Sequence, residues 1–134
     1  MTSYNPEVFT QFIFDTLSSD AAITSLVTGI HSYALQETNP PYLLISMDNV
    51  RSLNAAEFAG MEVEFSVKCY SVEAGYSEVF AIMEKVFAVL QNRTGSIAGY
   101  QVVNTRLADS EYERLRDGKG IEATLEFRSV IQEN

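Results

Sequence analysis

With a single cysteine, Cys69, the chain can form no disulfide within itself. Cys69 falls on the apolar side of an alternating stretch and reads as a buried, inert thiol. A single histidine, His31, is equally restrictive. Any serine–histidine–aspartate arrangement would have to use it, yet no nucleophile elbow or comparable motif accompanies it. One histidine and one cysteine cannot complete a zinc site, and the acids are scattered rather than spaced as in a calcium loop. Neither GxxxxGK[ST] nor GxGxxG occurs. No apolar run approaches the ~20 residues of a membrane span, and the opening MTSYNPEVF lacks the basic and apolar regions of a signal peptide. The expectation is a soluble intracellular protein with no cofactor, no metal, no membrane partner and no enzymatic activity.

Positive charge is also scarce. Nine Lys and Arg face 18 Asp and Glu, giving a formal charge of −9. Tight non-specific binding of nucleic acid draws on basic residues that neutralise phosphates, and no basic run is present. A protein that grips DNA is not expected on that ground. An acidic surface can still repel DNA or steer a basic partner protein.

The 134 residues suit one domain, 1–134, and an apolar fraction of 46% supports an ordinary core. Asn5-Pro6-Glu7 has the residues of a helix start, and helix one, to about Ser18, presents Val8, Phe9, Phe12, Ile13 and Leu17 for burial. Asp20 can cap a short second helix carrying Ile23, Leu26 and Val27, which Gly29 would stop. A short strand is expected at Ile30 to Ala34. Beyond the paired prolines Pro40 and Pro41, which belong just outside a sheet, a second strand is expected at Tyr42 to Met47.

The stretch MEVEFSVKCYSV, residues 61–72, alternates Met61, Val63, Phe65, Val67 and Cys69 with Glu62, Glu64, Ser66, Lys68 and Tyr70. That period of two marks a half-buried strand. A helix from about Gly75 to Asn92 follows, with Tyr76, Val79, Phe80, Met83, Val86, Phe87 and Leu90 forming an apolar stripe. The closing third reads as a hairpin of strands at Tyr100 to Ala108 and Ile121 to Ile131, with its turn at Asp117-Gly118-Lys119-Gly120. In the last strand Ile121, Ala123, Leu125, Phe127 and Ile131 alternate with Glu122, Thr124, Glu126 and Arg128. These patterns predict an α+β fold, a mostly antiparallel sheet of four to five strands with helices packed on one face. Its other face is polar, with Glu62, Glu64, Glu122 and Glu126 expected to be exposed there. Plain solvation of such a face is the ordinary alternative to a function.

Two segments look like binding elements. Residues 51–60, RSLNAAEFAG, are expected to expose Leu53 and Phe58 among small residues in a connection long for a hairpin. Residues 109–119 extend the final hairpin with Glu111, Glu113, Arg114, Arg116 and Asp117 in alternation.

In order and spacing, the opening helix, DAAITSLVTGIHSYALQETNPPYLLI, MEVEFSVKCYSV, GYSEVFAIMEKVFAVL and the closing ATLEFRSVI resemble the tail-completion, or tail-terminator, family. That family belongs to long-tailed bacteriophages, related prophages and gene transfer agents. The resemblance spans nearly the whole chain. It implies a structural subunit of the virion tail or neck, assembled in the host cytoplasm into a hexameric ring at the head-proximal end of the tail tube. Such a ring stops tube growth and meets the head–tail connector, while DNA passes through without being tightly bound. On that reading Arg51, Leu53, Phe58, Arg114, Arg116 and Lys119 are candidate contacts to neighbouring subunits or the tube. Glu62, Glu64, Glu122 and Glu126 are candidates for an acidic lumen. The alternatives are a neighbouring neck component or a free-standing acidic α+β module that binds a basic protein.

Overall fold

The computed structural model describes residues 6–32, 39–53, 60–73, 75–97, 99–115 and 120–133. Its elements are α1 (Pro6–Ser18), α2 (Ala21–Thr24), β1 (Ile30–His31), β2 (Tyr42–Ser52), β3 (Gly60–Ser71), α3 (Ser77–Leu90), β4 (Gly95–Ile97), β5 (Tyr100–Arg114) and β6 (Ile121–Glu133). The strands form one six-stranded sheet in the order β1-β2-β3-β6-β5-β4. The pair β1 and β2 is parallel and every other pair antiparallel. The expected mostly antiparallel sheet of four to five strands is thus corrected to six strands, mixed by the single parallel pair β1–β2 and otherwise antiparallel. The strand without a counterpart in the sequence reading is β4, only three residues long, too short for a period of two to register.

Burial follows the alternation wherever the strands are regular. Val63, Phe65, Val67 and Cys69 of β3 and Ile121, Ala123, Leu125, Phe127 and Ile131 of β6 are all buried. Phe65 and Phe127 are cross-strand partners and stack with centroids 5.5 Å apart, and Phe9 of α1 meets Phe65 edge-on at 5.4 Å. This aromatic cluster joins the first helix to the centre of the sheet. Phe9, Ile13 and Leu17, spaced four apart, form the inner face of α1, while Val8 and Phe12 are only half-buried. Asp20 caps α2 as its sequence predicts, with its Oδ1 accepting from the Ile23 N–H at 3.1 Å. Of the apolar residues expected there, Ile23 is buried but Leu26 is exposed. The Asn5 capping expectation and the 33–34 end of the first strand lie outside the described residues.

The inner face of α3 differs from the expected stripe. Val79, Ile82, Met83, Val86 and Leu90 are buried, whereas Phe80 is 51% and Phe87 39% exposed. Apolar residues surround more of this helix than one packed face needs, so its rotation is set by the sheet beneath it and not by its own periodicity.

Two long strands run past their predicted ends. A register shift between Met47 and Asn49 in β2 carries that strand on to Ser52. In β5, shifts occur between Val102 and Asn104 and between Leu107 and Asp109, and the strand continues to Arg114. Each bulge adds a residue that breaks the alternation, hiding the continuation from a period-two reading. Near the first β5 bulge the buried hydroxyls of Thr105 and Ser129 lie 3.0 Å apart. Thr105 also donates to the Arg93 carbonyl at 2.9 Å and Ser129 to the Asn104 carbonyl at 3.0 Å. Two hydroxyl protons are therefore shared among three contacts. The Leu107 N–H donates to Gln91 Oε1 at 2.9 Å and the Asn92 N–H to the Thr105 carbonyl at 2.8 Å, fastening the exit of α3 to β5.

Candidate functional site

The face of the sheet opposite the core is built in rungs, because the register fixes which outward side chains stand beside one another. One rung runs Arg51, Glu62, Val130, and the next Asn49, Glu64, Arg128, Arg106. A third runs Ser46, Ser66, Glu126, Asp109, then Leu44, Lys68, Thr124, Glu111, and finally Tyr42, Tyr70, Glu122, Glu113. A shallow cleft of about 300 Å³ lies on this face, with Asp48, Glu111, Glu122 and Glu126 along it and Lys68 and Arg128 as its cations. Asp48, beside the β2 bulge, accepts hydrogen bonds from Ser46 Oγ at 3.2 Å and from Ser66 Oγ. That pairing accounts for a serine only 3% exposed on the polar side.

Charge is segregated along the rungs. At one end Arg51 reaches Glu62 and Glu64 at 3.6 Å each, and Arg128 reaches Glu64 at 3.5 Å. At the other, Asp109 and Glu126 are direct cross-strand partners, as are Glu113 and Glu122. Arg106 and Arg128 oppose each other in the same way. Like charges directly opposite destabilise a strand pair, so each of these oppositions is a small cost to the isolated chain.

The structure brings all four glutamates expected on the polar face to that face but divides them. Glu126 is exposed; Glu62, Glu64 and Glu122 are half-buried, not exposed as expected. They stand on the central strands β3 and β6, where neighbours on both sides shade them, and Arg51 and Arg128 contact the first two. Among the expected contact residues, Arg51 belongs to this same charged face and to strand β2 rather than to a loop. Leu53 is half-buried where its N–H closes the β2–β3 hairpin on the Gly60 carbonyl at 2.9 Å, which corrects the expectation that it is exposed. Arg114 is exposed, with its guanidinium 5.4 Å from the Tyr76 ring. Phe58, Arg116 and Lys119 lie outside the described residues.

The helix-side surface of β5 carries a second feature. Tyr76 and Phe80 stack at 5.5 Å, and Tyr112 meets Phe80 edge-on at 5.1 Å. Phe80, Tyr112 and Arg114 are all exposed. Sequence reasoning placed Lys68 and Arg128 on the polar side of their strands, but missed Phe80 as a surface residue and missed Asp48, Arg106 and Asp109 as parts of the polar face. The signal for the last was present: Asp109, Glu111 and Glu113 are two apart, which places them on one side of a strand. Cys69 is buried, as expected, and its thiol is pushed up to about 12 by burial and then by the charge of Glu78. Among the described residues no group of His, Cys, Asp or Glu is arranged to hold a metal, and no helix is long and apolar enough to cross a membrane.

A family model described as tail completion protein gp17 matches residues 11–132 of the chain. The fold is similar to that of a chain in the virion of a native gene transfer agent (GTA) particle, with a TM-score of 0.83 and 17% sequence identity. The likeness covers 97% of this chain and 99% of that one. No curated protein matches the chain in sequence.

Proposed function

We propose, from the premise that the chain belongs to the tail completion protein gp17 family, that it forms the ring closing the head-proximal end of a tail tube. Membership makes it a structural protein of a phage-type tail, with its place in the tail or neck of the virion. The finer reading has copies of the chain assembling as a hexameric ring that halts tube growth and offers its far side to the head–tail connector. No reaction is part of this role. The observation that carries it is the family match over residues 11–132, which takes in β1 to β5, all but the last residue of β6 and most of α1.

The charge distribution is compatible with passage of DNA. At a net charge of −9 the chain gains little from releasing counterions, so DNA can slide past without being held. Glu62 and Glu64 are engaged by arginines.

Removing the chain from a tail-producing phage or prophage tests this role. The expected result is tubes that grow past their normal length and heads that carry no tails. Tails of normal length joined to heads in its absence would overturn it.

A further inference from the structure

We infer that neighbouring copies meet head to tail, with the acidic outer strand β5 of one copy set against the arginine end of the polar face of the next. The inference rests on the ring reading and names the contact that would build the ring.

The acidic partner is Asp109, Glu111 and Glu113, which are exposed and occupy alternate positions on one side of β5. This part of β5 is accessible from its outer edge. Among the described residues β4 pairs only with Tyr100, Gln101 and Val102 and the exit of α3 reaches no further than Leu107, so from Asp109 to Arg114 the ladder partner of β5 is β6 on its inner edge and no strand pairs with its outer edge. The basic partner lies on the same chain. A cleft of about 270 Å³ beside the β5 bulges is lined by Arg106 and Arg128 together with Glu62 and Asn104. Arg106 is exposed and has no ion-pair partner among the described residues, since Arg128 holds Glu64 and Arg51 holds Glu62 and Glu64.

Both patches carry unfavourable like-charge oppositions within one copy: Asp109 with Glu126 and Glu113 with Glu122, and Arg106 with Arg128. A contact that sets one patch against the other relieves both. The two patches are neighbouring stretches of one polar face, with Arg106 and Asp109 both on β5; the contact is set head to tail and not about a two-fold because only that arrangement, repeated around a rotation axis, closes the ring on which this inference rests. The occupant that the charges select is therefore a second copy of this chain.

Charge reversal separates this contact from a loss of folding. Arg106→Glu places an acid opposite Arg128, and Asp109→Lys with Glu113→Lys places bases opposite Glu126 and Glu122. Each change improves the cross-strand pairing within its own copy. Native mass is measured for the wild type and both variants over a range of concentrations, alone and with tail tubes. The expected result is rings for the wild type, a concentration requirement raised about tenfold or more for each variant, and recovery when the two variants are mixed in equal amounts. Rings undiminished in both variants would overturn this contact while leaving the ring reading intact. Assembly lost in each variant and not regained in the mixture would overturn the proposed pairing. A wild type that self-associates under none of these conditions would overturn the ring reading and this contact with it.

Discussion

Asp109 of β5 and Glu126 of β6 stand directly opposite each other in the antiparallel ladder, two carboxylates on one polar face. Their repulsion is a cost to the isolated chain of about 0.5 kcal/mol. Asp109→Lys is expected to stabilise the monomer by about that amount at low salt, with the gain shrinking as salt screens it. Urea unfolding at two ionic strengths checks this. A destabilised variant would show that Asp109 makes a favourable contact within its own copy.

The stacked pair Phe65 and Phe127, with Phe9 against it, is the link between sheet and first helix. All three side chains are at most 1% exposed. Phe127→Ala is expected to cost about 3–5 kcal/mol, combining lost burial with the cavity it leaves. Phe80→Ala, at a side chain about half exposed, is expected to cost much less. Equal losses in urea unfolding would contradict the observed rotation of α3.

Cys69 supplies a pH test. Its thiol is pushed up to about 12 in the folded chain, against about 8.5 when free. Between those values the unfolded chain has lost the proton that the folded chain keeps. Stability from this group is therefore complete below about pH 8.5 and falls as pH rises toward 12. In the native protein at pH 8 a thiol reagent should label Cys69 only through unfolding, and Cys69→Ala should flatten part of the alkaline loss. Rapid stoichiometric labelling of the folded chain would contradict the burial.

The ion pairs on the polar face make a different prediction. Arg51 contacts Glu62 and Glu64 at 3.6 Å, but its side chain is 59% exposed. Exposed pairs of this kind are worth about 0–1 kcal/mol. Arg51→Ala is expected to shift the urea midpoint only slightly. A loss comparable to a core truncation would mean that Arg51 also supports the fold.

The strands whose alternation is unbroken were the legible part of the fold. β3 and β6 show their inward residues one by one, and the acidic capping residue Asp20 announces α2. The ends of β2 and β5 were obscured by bulges at Asp48 and Ala108, each of which exchanges the two sides of the strand partway along. The rotation of α3 was obscured because Phe80 and Ile82 are equally apolar, and only the sheet decides which is covered. The candidate site was legible as single residues and not as a surface. Glu62, Glu64, Glu122 and Glu126 could be assigned to one face, but the partners of each depend on register between distant segments. Arg51 opposite Glu62 and Asp109 opposite Glu126 are relations of that kind.

The central claim is that copies of this chain close into a ring, and the native mass of the purified protein, alone and in the presence of tail tubes, tests it most directly. The account predicts closed rings of uniform size, visible in negative-stain images, either free at high concentration or seated on tube ends. A monomer at every concentration that also leaves tube ends bare would contradict it.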